Sequence, residues 1–166
     1  MRIAVVAGNP KAGSRTLQAA ILTSARISGG TPDEVIDVVT LGSGLLGWND
    51  PQVKEAVTAV QSADVAVVAS PTFKGAYTGV LKLFLDQFPS GGLAGVVAVP
   101  LMLGAGLGHA LAPELLLKPV LVELGATCPT RALYLLDSDW EQSPLLDQWL
   151  ENALPKLRAS LGEDVR

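Results

Sequence analysis

The sequence predicts a doubly wound α/β fold on a five-stranded parallel sheet, in the order 2-1-3-4-5. Three observations carry that reading. Short β-branched apolar runs, IAVVA at 3–7 and DVAVVAS at 64–70, lack polar alternation, as strands buried on both faces do. Segments of helical periodicity alternate with such runs, so that strand and helix succeed one another five times. Turn-rich loops follow three of the strands, at 8–15, 71–78 and 104–108. In this architecture crossovers are right-handed and a ligand sits beyond the carboxyl ends of the strands, so these loops are expected to converge.

The elements follow in order. The first strand, 3–7, ends at Gly8, and a helix over 16–28 stops at Gly29-Gly30. EVIDVVT at 34–40 alternates more, which suits a strand nearer the edge. A Gly-rich stretch leads to Pro51, placed in the first turn of a helix over 51–62. The strand at 64–70 and a loop precede a helix at 79–88. The apolar strand at 95–103 is interrupted by Pro100. The helix at 110–124 holds Pro113 and Pro119, which predicts a kink near Pro119. A last strand at 132–136 precedes a terminal helix at 140–161, with Pro144 near its start and Pro155 as its break.

At 166 residues the chain fits one domain, 1–166, with a real core. Hydrophobic residues make up 49% and charged residues 17%, too apolar for disorder and suggestive of a doubly covered sheet or burial in an oligomer. The net charge is −4 with no Lys/Arg cluster, which argues against nucleic acid and a polybasic membrane patch. Cys128 is the single cysteine, so an internal disulfide and a Cys-built metal site are excluded. The apolar run after Arg2 is too short for a signal peptide and no run is long enough to span a membrane, making the cytoplasm the default expectation.

The first loop, Gly8-Asn-Pro-Lys-Ala-Gly-Ser-Arg-Thr16, joins a buried strand to a helix start. Hydroxyls at Ser14 and Thr16, the Arg15 cation and outward-pointing helix N–H groups make a phosphate cradle. The alternative is an ordinary N-cap with Arg15 solvated. A P-loop is excluded because Ser14 and Arg15 stand where Lys and Ser/Thr are needed, and the dinucleotide fingerprint fails for want of glycine at 9–12. Gly42-Ser-Gly44-Leu-Leu-Gly47 matches G-x-G-x-x-G by letter only. No helix starts until Pro51, so a flexible rim loop or subunit contact is expected there, with Trp48 packing. In the third loop Gly104, Ala105, Gly106 and Gly108 let backbone approach a planar ligand, or merely make a tight turn. His109, the only histidine, stands at the next helix start either beside cofactor or in a structural role. Lys82 and Asp86, four apart on one helix, make a surface ion pair.

The second loop and its helix read S-P-T-F-K-G-A-Y-T-G-V-L-K-L-F-L-D over 70–86. This resembles a signature of the NADPH-dependent FMN reductase family, S-P-x-Y/F-x-x-x-x-S/T-G-x-L-K-x-x-L-D. The first loop is similar to that family's G-S-P-x-x-x-S-R-S/T phosphate loop, and the stretch from Gly104 to Leu124 resembles its G-G-x-x-x-H-x-L-A…L-K-P-V-L…L segment. The match runs from Ile3 to about Gly125 and is closest to the branch that feeds reduced flavin to sulfonate monooxygenases.

The resemblance implies a flavodoxin-like three-layer sandwich and hydride transfer from NADPH or NADH to FMN, with no side-chain acid or base. Ser14, Arg15 and Thr16, with Asn9 in the same loop, are expected at the phosphate. Pro71, Thr72, Phe73, Lys74 and Gly75, with Gly104, Ala105 and Gly106, are expected at the ring. Phe73 packs near the ring or in the core; Lys74 holds a phosphate of the nicotinamide cofactor or is solvated. No metal ligand is expected. The resemblance also implies a dimer or tetramer through the nearly all-apolar helix at 110–124, and a monooxygenase partner. In the sulfonate-linked branch an inserted aromatic or histidine occupies the position that here is Leu115, which leaves flavin transfer and flavin retention both open. The rival readings are an enzyme that keeps FMN and reduces quinones, azo compounds or metal ions; a flavodoxin-type electron carrier; and a non-enzymatic flavin- or nucleotide-binding regulator.

Overall fold

A computed structural model describes residues 1–162. Five strands, β1 (Ile3–Ala7), β2 (Glu34–Asp37), β3 (Val65–Pro71), β4 (Val97–Gly104) and β5 (Leu133–Leu136), form one sheet in the order β2-β1-β3-β4-β5. Every pairing is parallel, with Val5 opposite Val35 and Val67, and Val67 opposite Val99. The predicted sheet and strand order are therefore observed.

Five α-helices cover the sheet: α1 (Arg15–Ser28), α2 (Pro51–Gln61), α3 (Gly79–Leu85), α4 (Lys118–Glu123) and α5 (Pro144–Ser160). The period of two along each strand divides the apolar residues between two layers. Ala4, Val6, Ala66 and Val68 meet Val53, Leu81, Phe84 and Leu121 on one face. Val5, Ala7, Val67 and Val99 meet Leu17, Ala20, Leu150 and Leu157 on the other. Both faces being covered is what the unbroken apolar runs require.

Several boundaries differ from the sequence reading. β2 stops at Asp37, because β1 ends opposite it at Ala7 and offers no further partner. The chain instead enters a 3₁₀ segment, Val38–Leu46, that buries Val38 and Leu45 and is kinked at Gly42. Pro100 does not interrupt β4. Ala98 donates toward the β5 side, to Thr127, so by alternation the Pro100 nitrogen points the same way. Pairing with β5 begins only at Leu101, and no ladder hydrogen bond is lost.

The expected single helix at 110–124 is a π turn at Pro113–Leu117 continued by α4, and a separate 3₁₀ turn at Leu107–His109 precedes it. The irregularity lies before Pro119, in this π turn, which ends with the Lys118 N–H bonded to Pro113 C=O. Pro119 thereby falls in the first turn of α4, where its missing donor costs nothing. Helix α3 ends at Leu85 rather than 88. Trp140–Gln142 is a separate 3₁₀ turn before α5. Pro155 does not break α5; it lies on the exposed face, where the freed Glu151 carbonyl meets solvent. Among the described residues, no helix is long and apolar enough to cross a membrane and no cluster could hold a metal ion.

Candidate functional site

The loops after β1, β3 and β4 meet beyond the carboxyl ends of the strands around a cleft of about 430 Å³. That volume falls within the range of small-molecule sites, roughly 300–1,000 Å³.

The first loop is built by side chains that tie it down. Asn9 Oδ1 accepts from the Lys11 N–H at 2.9 Å while its Nδ2 donates to Thr16 Oγ1 at 3.0 Å. Gly13, at φ 62, donates its N–H to Asp37 Oδ2 at 2.8 Å. Ser14 is the N-cap of α1, its Oγ accepting from the Leu17 N–H at 3.3 Å. The N–H groups of Arg15 and Thr16, in the first turn of that helix, have no intrahelical partner. They stand with the positive end of α1 at the cleft, an arrangement that favours an anion. Arg15 lines the cleft too, with Nη1 donating to the Asp137 main-chain carbonyl at 2.9 Å and Nη2 lying 3.8 Å from its carboxylate.

The second loop leaves β3 at Pro71. Thr72 donates its N–H to Leu103 C=O at 2.6 Å, which binds this loop to the third. Phe73 and Ala76 exchange main-chain hydrogen bonds of 2.9 and 3.1 Å around Lys74 (φ 53) and Gly75 (φ 82). This two-residue turn with both φ values positive leaves Phe73 52% exposed on the rim. Thr78 closes the arrangement: its N–H donates to Ser70 Oγ, its hydroxyl to Gly8 C=O, and its Oγ1 caps α3. A Cβ at Gly8 would overlap Leu81, so glycine is what lets α3 lie against the first loop.

In the third loop a Cβ at Gly104 would overlap the Tyr134 hydroxyl, which donates to Gly106 C=O at 2.8 Å. The same Cβ would come within 3.2 Å of Thr72 Oγ1, a buried hydroxyl oxygen with no partner among the described residues.

Of the residues singled out from the sequence, Asn9, Ser14, Arg15, Thr16, Pro71, Thr72, Phe73, Gly104 and Ala105 line this cleft. Lys74, Gly75 and Gly106 do not. Lys74 is at the tip of the turn, Gly106 is held by Tyr134, and Gly75 faces a neighbouring hollow, where the ring of exposed His109 lies against it. Sequence reasoning missed Asp137 and Leu103, which also line the cleft, and the supports Asp37 and Tyr134. Asp137 directly follows a predicted strand, so its place at the carboxyl edge was an available signal; Asp37 lay mid-way along the strand predicted at 34–40 and gave none. The G-x-G-x-x-G look-alike lies in the 3₁₀ segment and starts no helix. The segment expected as a flexible rim loop or subunit contact buries Leu45, while Trp48, expected to pack, is 73% exposed.

The model of the family described as NADPH-dependent FMN reductase matches residues 1–141. The chain belongs to this family. Membership establishes it as an oxidoreductase of the flavin reductase type. Among curated relatives, the FMN reductase (NADPH) of Escherichia coli K12 is 32% identical over 136 residues, covering 76% of this chain and 68% of that one. The NADH-dependent FMN reductase SfnF of Pseudomonas putida is 29% identical over 156 residues, covering 89% and 83%. Among solved structures, the apo form of the NADH:FMN oxidoreductase EmoB superposes with a TM-score of 0.85 at 31% identity, covering 99% of this chain and 91% of that one. The relatives thus pair FMN with NADPH in some cases and NADH in others, as the sequence resemblance implied.

The cleft fits FMN on its own geometry. It offers an anion site at the start of α1, a wall stripped of side chains at Gly104 and an unpartnered buried hydroxyl at Thr72.

Proposed function

We propose that the chain, acting as a single domain over residues 1–166, is an NAD(P)H:FMN oxidoreductase that binds FMN in the cleft beyond β1, β3 and β4 and passes the reduced flavin to a monooxygenase. The observation that carries this reading is the meeting of three sequence-distant loops around one cleft with an anion-binding helix start.

In this reading the Arg15 and Thr16 N–H groups and the Arg15 guanidinium hold the phosphate. The Arg15–Asp137 pair is exposed and contributes less than about 1 kcal/mol, so it orients the guanidinium without withholding it. Pro71, Thr72, Gly104 and Ala105 present backbone to the ring, and the fixed dipoles of their peptide groups stabilise negative charge on it. When bound, FMN supplies the hydride-accepting ring. No side-chain acid or base of the chain takes part. Release of flavin is favoured over retention because the third loop has no aromatic and Phe73 lies open on the rim.

Leu107, Leu111, Leu115, Leu116 and Val122 are all more than 40% exposed along one segment, and several of them line a hollow of about 340 Å³. A face of this kind supports a homodimer or homotetramer through residues 110–124. A single free thiol without disulfides suits a cytoplasmic location.

The test is oxidation of NADPH and NADH with and without added FMN. Turnover that saturates with free FMN supports the proposal. Tightly retained FMN with quinone-dependent turnover supports a retaining reductase instead, and no oxidation of either nucleotide rejects both enzymes.

A further inference from the structure

β5 borders a groove of about 410 Å³, walled by residues 130–134 on one side and by one face of α5 on the other. Asp137 donates its N–H to Gly104 C=O, so odd-numbered positions of β5 face β4 and even-numbered ones face outward.

Just before β5, side chains already bond the main chain, at the outward-facing Ala132 and at Arg131, which precedes the strand. Glu114 Oε2 accepts from the Ala132 N–H at 2.7 Å, and Trp149 Nε1 donates to Arg131 C=O at 2.7 Å. Further along, the N–H and C=O of Tyr134 and the N–H of Leu136 are bonded by no described residue. Native sheets blunt such edges with short strands, charge or proline; β5, LYLL, is short at four residues but carries no charge or proline.

The groove is also selective in charge. Its walls hold Arg131 and Lys156 and no carboxylate, in a chain whose net charge is −4. Neither cation forms an ion pair within 4.0 Å of a described carboxylate, although Glu114 lies within the electrostatic reach of Arg131. Gln148, Asn152 and Lys156 recur every four residues, so they form one row along α5 facing the strand. Thr130, 3% exposed, lines the groove with its Oγ1 unpartnered.

We propose that this groove receives an extended acidic segment of a partner protein, which joins the sheet as a sixth strand beside β5. Main-chain bonds to Tyr134 and Leu136 supply the pairing, and Arg131 and Lys156 select carboxylates on the incoming strand. A second copy of this chain pairing through β5 would bring like cations together with no carboxylate to meet them, so the occupant is a different protein. The inference does not depend on the flavin reading, since the groove shares no wall with the cleft.

The probe is a short soluble peptide of alternating Val and Glu, compared with its Val/Lys counterpart and with a copy N-methylated at alternate amides. Affinity is read by calorimetry and pairing by amide hydrogen exchange. The Glu peptide is expected to slow exchange at Tyr134 and Leu136 and to bind about tenfold or more tighter than the Lys peptide. The N-methylated copy should lose binding, and the double variant Arg131→Glu, Lys156→Glu should reverse the charge preference while FMN-dependent NAD(P)H oxidation is unchanged. Equal binding of the N-methylated peptide, unchanged exchange at the two amides, or no binding of the Glu peptide overturns the proposal. A drop in oligomer mass in the double variant overturns it in favour of a second copy.

Discussion

At Gly104 the missing side chain is a steric requirement. A methyl group there would overlap the Tyr134 hydroxyl, whose bond to Gly106 shapes the third loop. Gly104→Ala is expected to cost about 1–3 kcal/mol of stability, as overpacking does, and to weaken FMN binding. Adding Tyr134→Phe should restore part of the stability, because it removes the severest overlap while the ring carbon Cζ, 2.9 Å from the added methyl, must still shift; denaturant melts of the single and double variants check this. Arg15 presents the opposite case. It is largely exposed and supports nothing in the core, so Arg15→Ala should leave the melt unchanged and weaken FMN about tenfold, equivalent to one lost charged contact. Unaltered affinity by fluorescence titration would remove Arg15 from the phosphate site. Cys128 is inert for a different reason: burial pushes its thiol up to about 11. It should resist alkylation at neutral pH until the protein is unfolded, as mass spectrometry would show. At this scale the sequence revealed which positions had to be small or polar. It did not reveal why, because the partners that impose the requirement, Tyr134 on Gly104 and Asp37 on Gly13, come from other strands.

At the scale of elements, hydrophobic pattern located every strand and α-helix, and proline misled about where they end. Pro100, Pro119 and Pro155 were each read as interruptions. Each is tolerated because the hydrogen bond it forgoes is absent or open to solvent: an edge before β5 begins, the first turn of α4, the exposed face of α5. The π turn was not legible, since its sequence is equally apolar in any helical winding. What holds it against β5 is a three-way clamp. Glu114 binds Lys118 Nζ at 2.7 Å and the Ala132 N–H at 2.7 Å, while Lys118 donates to Thr130 C=O at 2.8 Å. Burial pushes the Glu114 carboxyl up, but the Ala132 N–H and Lys118 outweigh it and hold the carboxyl below its ordinary 4.5. A carboxyl lowered in the folded state adds stability above its unfolded value and loses it as pH falls through the folded one. Glu114→Gln should therefore lower the melting temperature at neutral pH, and the gap from the wild type should close in acid below the ordinary carboxylate range. A gap that persists there would mean the charge is not what the clamp uses.

Over the whole molecule, an apolar excess visible in the composition has two destinations. Part of it fills the two layers that sandwich β1, β3 and β4, where Val5, Val67 and Val99 are fully buried. The rest is displayed on the segment that includes the π turn, where Leu107, Leu111 and Leu115 are each more than half exposed. A monomer gains nothing from such a display, and this patch is the surface through which the proposed oligomer would form. The patch adjoins Gly75 and His109, so the same surface that would join subunits borders the turn carrying Phe73 at the cleft rim. Assembly and flavin binding are thereby expected to be coupled. Leu115→Glu places a charge at the centre of the patch while touching no residue of the core. It should reduce the sedimenting mass to that of a monomer, leave the circular dichroism spectrum unchanged, and raise the FMN concentration needed for half-maximal NAD(P)H oxidation. A variant that stays assembled would move the interface elsewhere. One that dissociates with its FMN dependence intact would separate the interface from the cleft.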